Sequence, residues 1–194
     1  NNRLVCNYME TRGCLAEYDE TLDHLTLTLG SQGVHSLQTS IAETILKIDK
    51  SKLTVITPDV GGGFGTKNFI YHEYPLCAFA ARLLRRPVAW IGTRSAHFVS
   101  DVHGRDNVTT ARLALDKTGR FLALDVDILA DMGAYLSEYS VIIPWFAASM
   151  ATGVYDIAAL HVHVTSLYTN TTPTDAYRGA GRPEAAYLIE RLVN

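Results

Sequence analysis

Four glycines in five positions, within Gly61-Gly62-Gly63-Phe64-Gly65-Thr66-Lys67, constrain this chain more than any other feature. Each glycine in ordered structure costs roughly 0.5–1 kcal/mol relative to alanine, so a cluster needs a physical reason. Two reasons are available. Bare backbone can admit close approach of an anionic or chalcogen-rich ligand, or a tight strand-to-helix turn can require positive φ. Counting residues excludes two familiar phosphate loops. A Walker loop places glycine immediately before its lysine and serine or threonine after it, where this chain has Thr66 and Asn68. A dinucleotide fingerprint opening at Gly61 needs a small residue at the place of Thr66 and an acidic residue about 20 positions on, and neither is present.

At 194 residues with 47% hydrophobic content, the chain can bury one sizeable core or two small ones. A net charge of −3 and a pI near 6.2 give no electrostatic footprint for nucleic acid or an anionic membrane. The most apolar stretch, from Val141 to Val154, is interrupted by Pro144 and Gly153, short of the roughly 18 residues of a spanning helix. The expectation is a soluble, cytoplasmic protein without a transmembrane segment. Cys6, Cys14 and Cys77 are odd in number and form no C-x-x-C pair, which argues against a disulfide framework or a zinc knuckle and fits a reducing compartment. An iron–sulfur cluster normally takes four cysteine ligands, more than this chain has. The sequence opens Asn-Asn and closes on Ile189-Glu190-Arg191-Leu192-Val193-Asn194 with no helix stop, so it reads as an excerpt of a longer polypeptide.

Periodicity supplies the elements. His24 to Leu29 alternates and Lys52 to Thr57 is β-rich, so both are expected as strands. Between them Val34, Leu37, Ile41, Ile45 and Ile48 recur at helical spacing, the pattern of an amphipathic crossover helix. Tyr71 to Arg86 reads as a helix stopped by Pro87, and Val88 to Ile91 as a short buried strand. Asn107 to Leu115 and Phe121 to Leu129 alternate about the turn Asp116-Lys117-Thr118-Gly119-Arg120, which predicts a long antiparallel hairpin. His161 to Leu167 reads as a further strand and Pro183 to Val193 as a helix with proline in its first turn. The expected fold class is mixed α/β, with mixed sheets, crossover helices and the hairpin, and without internal repeats.

Several separated strings occur in one order: Met9-Glu10-Thr11-Arg12-Gly13, Gly30-Ser31-Gln32, the glycine cluster, His103-Gly104-Arg105-Asp106, and Asp175-Ala176-Tyr177-Arg178-Gly179-Ala180-Gly181-Arg182-Pro183-Glu184. That order resembles the molybdopterin-binding large subunit of the xanthine dehydrogenase, aldehyde oxidase and carbon monoxide dehydrogenase family, across essentially the whole chain. Thr11 departs from the family's usual proline. The string Ala-Tyr-Arg-Gly-Ala-Gly-Arg is most similar to the second type of carbon-monoxide-dehydrogenase-like large subunit. On this resemblance residues 1–194 are a first molybdopterin-binding domain, a fragment whose C-terminal partner regions complete the cofactor site.

The resemblance implies roles residue by residue. Gln32 matches a glutamine whose amide hydrogen-bonds an oxygen ligand of the molybdenum, a task suited to an amide because it donates without adding charge. Gly63, Phe64 and Gly65 match a loop packed against the metal and its pterin, with backbone N–H groups as donors and the phenyl ring excluding water. Arg178, Gly179 and Ala180 match a second loop beside cofactor and substrate. Read without the resemblance, Gln32 is an ordinary turn residue, Phe64 a core residue and the second loop a helix lead-in with surface arginines.

Asn68, Arg105 and Ala180 fall at substrate-pocket positions. Arg105 has the alternative of a salt bridge with Asp101 or Asp106, slightly favoured. Asn68 stands where purine oxidisers carry a glutamate and Ala180 where they carry an aromatic ring, which argues against xanthine. Gly179 replaces the cysteine that bridges copper in carbon monoxide enzymes, leaving no evident copper ligand. No direct metal ligand is expected. His161 and His163 share a strand face but lack a third ligand, so they read as exposed strand histidines.

The implied activity is oxidative hydroxylation of an aldehyde or N-heterocycle with water as oxygen source. Electrons would leave through iron–sulfur clusters to FAD on partner subunits or domains. The general-base glutamate is expected beyond this stretch, because Glu184 and Glu190 read as solvated charges on the terminal helix. The fragment alone is therefore expected to be inactive. The alternatives are a carbon monoxide dehydrogenase large chain and a non-catalytic domain that retains the fold.

Overall fold

The computed structural model describes residues 3–194, which form two compact units, one spanning Cys6–Asp101 and the other Val102–Asn194 with residues 3–5. In the first, β1 (Gly13–Asp19) pairs antiparallel with β2 (His24–Leu29) and with β4 (Val88–Ile91), while β2 pairs parallel with β3 (Leu53–Ile56). The sheet order is β3-β2-β1-β4. A parallel β2–β3 pair demands a crossover. It is made by α1 (Val34–Thr39) and a wider π-helical continuation over Ser40–Leu46.

That continuation alters the expected face. Leu37 and Ile41 are buried, but the i→i+5 winding brings Ala42 inward and leaves Ile45 44% exposed. Helix α2 (Glu73–Leu84) lays Tyr74, Cys77, Ala78 and Ala81 on the sheet's Ala16, Leu25, Leu27 and Leu53. Arg85 closes it at φ 53, two residues before Pro87. Strand β1 and helix α3 (Arg94–Ser100) have no counterpart among the sequence expectations.

In the second unit β5 (Asn107–Leu115) and β6 (Phe121–Asp131) form the expected antiparallel hairpin, and β6 pairs parallel with β7 (Ala159–Leu167). Alternation places Leu124, Val126, Ile128 and Ala130 of β6 on one buried face. They pack with Ala147 of α4 (Ile142–Ser149) and with Ala185 and Ile189 of α5 (Arg182–Val193). The opposite face of β6 is polar, with Asp125 accepting from Arg112 at 2.8 Å and lying 2.8 Å from His161 Nδ1. His163 stands 3.3 Å from Asp127. Both histidines are exposed and paired along the β6–β7 register. The fold class is the mixed α/β arrangement read from the sequence. No helix among the described residues is long and apolar enough to cross a membrane.

Candidate functional site

The glycine cluster leaves β3 through an open turn and enters a short helical turn, Thr66–Asn68. Its spacing is explained by what approaches it. A Cβ on Gly61 would stand 2.4 Å from Glu10 Cβ, and one on Gly63 would stand 2.4 Å from Gln32 Oε1. Gly62 and Gly65 hold φ of 87° and 107°. Both physical reasons given above thus operate, but the close approach is by the protein's own side chains.

Gln32 is the centre of this loop. Its Oε1 accepts from Gly65 N–H at 2.8 Å and Lys67 N–H at 3.3 Å, while its own backbone N–H donates to Lys67 O at 3.0 Å. Two donors on one atom fix the amide's orientation, so Oε1 faces the loop and Nε2 carries both remaining N–H groups. The residue is exposed, so those donors face outward from the loop. Of the backbone donors expected at Gly63, Phe64 and Gly65, the Gly65 N–H is thus spent on Gln32. The N–H groups of residues 65–68 are all engaged within the loop, with Thr66 N–H on Gly63 O and Asn68 N–H on Gly65 O. Phe64 sits at φ 49 with 46% of its surface exposed, so it is neither core nor, in this unit, enclosed. Asn68 lies alongside, its Oδ1 3.8 Å from where a Gly33 Cβ would stand.

Beneath the loop lies a buried charge. Lys67 is fully buried and its ammonium donates to Glu10 Oε2 at 2.5 Å, over the Tyr8 ring at 5.0 Å. Glu10 also accepts from Gly61 N–H at 3.0 Å, and its backbone N–H donates to Gly61 O at 3.0 Å. Partial burial pushes the Glu10 carboxyl up, but Lys67 and the Gly61 N–H outweigh it and hold it below the ordinary range. Arg12, of the same sequence string, is buried between Asp101 at 3.0 Å and Glu73 at 3.4 Å, with its guanidinium 3.4 Å over the Tyr71 ring. Asp101 further accepts from Tyr8 Oη at 2.6 Å. Since that hydroxyl proton is committed, His97 Nδ1, 3.2 Å from Tyr8 Oη, is the donor there and Nε2 is a bare buried acceptor. Sequence reading missed the support roles of Tyr8, Glu10, Lys67 and His97. Only Glu10 and Arg12 carried a local cue, their shared motif.

The second loop belongs to the other unit. Gly179, Ala180 and Gly181 take φ of 103°, 49° and 86° in succession. A Cβ on Gly179 would stand 2.5 Å from Pro183 Cγ, and one on Gly181 would stand 2.1 Å from Ile143 O, so both glycines serve internal packing. Arg178 is exposed. Asp175, which leads into the loop, is buried and accepts from Tyr139 N–H at 2.9 Å and Ala176 N–H at 2.5 Å. Its burial raises its carboxyl above the ordinary range despite these bonds.

Arg105 makes neither of the expected carboxylate pairs a defining contact. Its Nη1 donates to Tyr177 O at 3.1 Å and its Nη2 to Arg178 O, with the guanidinium 4.7 Å over the Tyr177 ring. Asp106 instead approaches His103 at 3.7 Å. The reading of Glu184 as a solvated charge is also corrected. Its Oε2 is buried without a hydrogen-bond partner and borders a cavity of about 20 Å³ with Asp106, Asn107, Asp131 and Thr174, room for about one water. Glu190 remains exposed and accepts from Tyr155 Oη at 2.9 Å.

Residues 1–194 match the molybdopterin cofactor-binding domain. The chain belongs to that family. It is 33% identical over 195 residues to the nicotine 6-hydroxylase large subunit of Paenarthrobacter nicotinovorans, covering 99% of this chain and 24% of that protein. It is 36% identical over 189 residues to the carbon monoxide dehydrogenase large chain of Hydrogenophaga pseudoflava, covering 96% and 23% respectively. Among solved structures, quinoline 2-oxidoreductase from Pseudomonas putida 86 aligns at TM-score 0.86 and 31% identity, over 97% of this chain and 25% of that one. The Cu,Mo carbon monoxide dehydrogenase aligns at TM-score 0.87 and 33% identity, over 97% and 24%. The chain thus spans about a quarter of the length of the relatives it matches. It is a molybdopterin-binding domain of the molybdenum hydroxylase family.

The residues present fit such a group. Gln32 offers uncharged donors whose direction is fixed by the loop behind them, as an oxygen-bearing ligand requires. Among the described residues no cluster of three histidine, cysteine, aspartate or glutamate side chains could hold a metal by itself.

Proposed function

We propose that this chain is part of the catalytic large subunit of a molybdenum hydroxylase that oxidatively hydroxylates an aldehyde or N-heterocycle, with water as oxygen source. The observation that carries the reading is the Gln32 amide, whose carbonyl is committed to Gly65 and Lys67 and whose NH₂ is left to a ligand. When bound, the molybdopterin group would supply two-electron redox chemistry that no side chain provides. Gln32 donates to an oxygen of that group. Gly63, Phe64 and Gly65 shape the turn behind Gln32, and Arg178, Gly179 and Ala180 are assigned to cofactor contact. Asn68, Arg105 and Ala180 are assigned to the substrate. Asn68 cannot ionise or share a proton with a purine ring, which argues against a purine and leaves a simpler heterocycle or aldehyde. Relatives named for nicotine and quinoline support the N-heterocycle choice.

The base that activates water, together with iron–sulfur and flavin partners, is assigned to regions or subunits outside these residues. By this reading the 194-residue piece alone retains no cofactor and turns over no substrate. Carbon monoxide oxidation is the second reading, favoured by the similarity to carbon monoxide dehydrogenase large chains. Against it, Gly179 offers no thiolate, and any Cβ there meets Pro183 at 2.5 Å.

The deciding measurement is the molybdenum and copper content of the full-length subunit purified with its partners, for wild type and Gln32→Leu. About one molybdenum per chain without copper, with activity on heterocycles lost in Gln32→Leu, is expected. Equal molybdenum and copper would transfer the assignment to carbon monoxide oxidation. Absence of both would leave a binding domain that has kept the fold.

A further inference from the structure

The segment 103–106 is a backbone template for the second glycine loop. His103 N–H donates to Pro173 O at 3.1 Å, Asp175 N–H donates to His103 O at 2.9 Å, and His103 bridges Thr174 in parallel. Gly104 continues the contact, since a Cβ there would stand 2.8 Å from Tyr177 Cβ. Arg105 comes next, turned to φ 62, and its two terminal nitrogens reach the carbonyls of Tyr177 and Arg178. Immediately beyond those carbonyls lie the three successive positive-φ residues. Arg182, which follows them, closes the run on itself: its Nη1 donates back to Gly179 O at 3.1 Å and its guanidinium lies 4.5 Å over Phe146.

We infer that Arg105 is a positioning residue that clamps the Ala176–Arg182 loop by bridging two consecutive backbone carbonyls. The chemistry selects arginine. A planar fork can span two acceptors at once and still stack on Tyr177, whereas a lysine ammonium is a point donor that satisfies one site at a time. Gly179 and Gly181 are free to take many conformations and Ala180 is held at a sparsely populated φ, so the run keeps one shape only where its surroundings fix it. Arg105 fixes the upstream flank, while Gly181 packs on Ile143 O and Arg182 ties back to Gly179 O. This role adds to the substrate assignment above and is separable from it, because the donors spent on carbonyls act on the loop whether or not substrate is present. The clamp rests only on contacts within the second unit. Its consequence for cofactor retention rests on the proposed function.

The test is amide hydrogen exchange by mass spectrometry on the full-length subunit purified with its partners, comparing wild type, Arg105→Gln and Arg105→Lys, with molybdenum content measured on the same samples. Expected is an increase of roughly tenfold or more in exchange over residues 176–182 for Arg105→Gln, with protection in Phe121–Asp131 unchanged. Arg105→Lys should rescue part of it. Exchange over 176–182 within about twofold of wild type, with intact Phe121–Asp131 protection, would overturn the clamp. A raised KM with unchanged exchange would likewise overturn it in favour of a purely substrate-facing arginine. Raised exchange with full molybdenum content would uphold the clamp and sink the loop's cofactor assignment. If Arg105→Gln loses Phe121–Asp131 protection, the same criteria apply to Arg105→Lys.

Discussion

Gln32 and Gly63 share one small volume: a β-carbon on Gly63 would stand 2.4 Å from Gln32 Oε1. The glycine therefore exists for the glutamine. Adding a methyl at position 63 must expel the amide, and the Gly65 and Lys67 N–H groups lose their acceptor.

Gly63→Ala is expected to cost about 1–3 kcal/mol, from two hydrogen bonds at roughly 0.5–1.5 kcal/mol each. In a Gln32→Ala background the same change should cost much less, because the clashing atom is gone. Urea denaturation of wild type, the two single variants and the double variant measures the difference. Equal costs in both backgrounds would show that the methyl disrupts the turn by another route.

The Glu10–Lys67 pair should break asymmetrically. Lys67 is fully buried while Glu10 is 42% exposed. Glu10→Gln leaves the buried ammonium with a neutral acceptor in place of its carboxylate and is expected to cost about 1.5–3 kcal/mol. Lys67→Met leaves a carboxylate that water can reach, and packs an apolar chain of similar length against Tyr8, so its cost should be clearly smaller. Equal losses in denaturant midpoint would contradict the burial difference on which the argument stands.

Elements with strong period survived the passage from sequence to structure. Strands over His24–Leu29, Val88–Ile91 and Asn107–Leu115 have the expected bounds, and the hairpin partner runs only two residues further, to Asp131, but Val88–Ile91 is an edge strand with Ile91 76% exposed and not the buried strand its apolar run suggested. β1 was not legible because Gly13-Cys14-Leu15-Ala16-Glu17-Tyr18-Asp19 lacks clean alternation in sequence, and its pairing on both edges decides its state. α4 hid in an apolar run that carried a proline at its third residue. The glycine cluster was legible as special but not as to cause, since the approaching groups, Glu10 and Gln32, lie about 30 to 50 residues away. Buried Lys67 had no local cue at all. Arg105 was singled out, yet its bond to residues 177 and 178 is tertiary and invisible to spacing.

Histidine burial gives a pH dependence of definite sign. His97 and His103 are both held below the ordinary histidine value, first by burial, with Arg12 adding to the effect at His97 and Arg3 at His103. Below about pH 6.5 the unfolded chain takes up protons that the folded sites refuse. Stability is therefore full above that value and falls as pH drops through the folded values, by up to about 1.4 kcal/mol per pH unit for each histidine. Denaturation at pH 7.5 and 5.5 should show the decline, and His97→Gln should remove about one proton's share of it. A flat profile in wild type would contradict the burial of both rings.

Position 179 is expected to refuse any side chain on this backbone. Its φ of 103° disfavours L residues, at roughly 1–3 kcal/mol, before sterics are counted. The Pro183 ring, 2.5 Å from the hypothetical Cβ, cannot swing away, because its position in the first turn of α5 fixes it. Gly179→Ala and Gly179→Cys should therefore destabilise the second unit to a similar extent, and Pro183→Ala should recover the steric part in both. If Gly179→Cys alone folds like wild type and takes up copper into the molybdenum-loaded subunit, then the steric argument against a copper-bearing thiolate here fails, and only the missing thiolate of the wild-type chain still argues against copper. Melting temperature for the four variants, followed by copper content for the cysteine pair, separates a backbone restriction from a merely absent ligand.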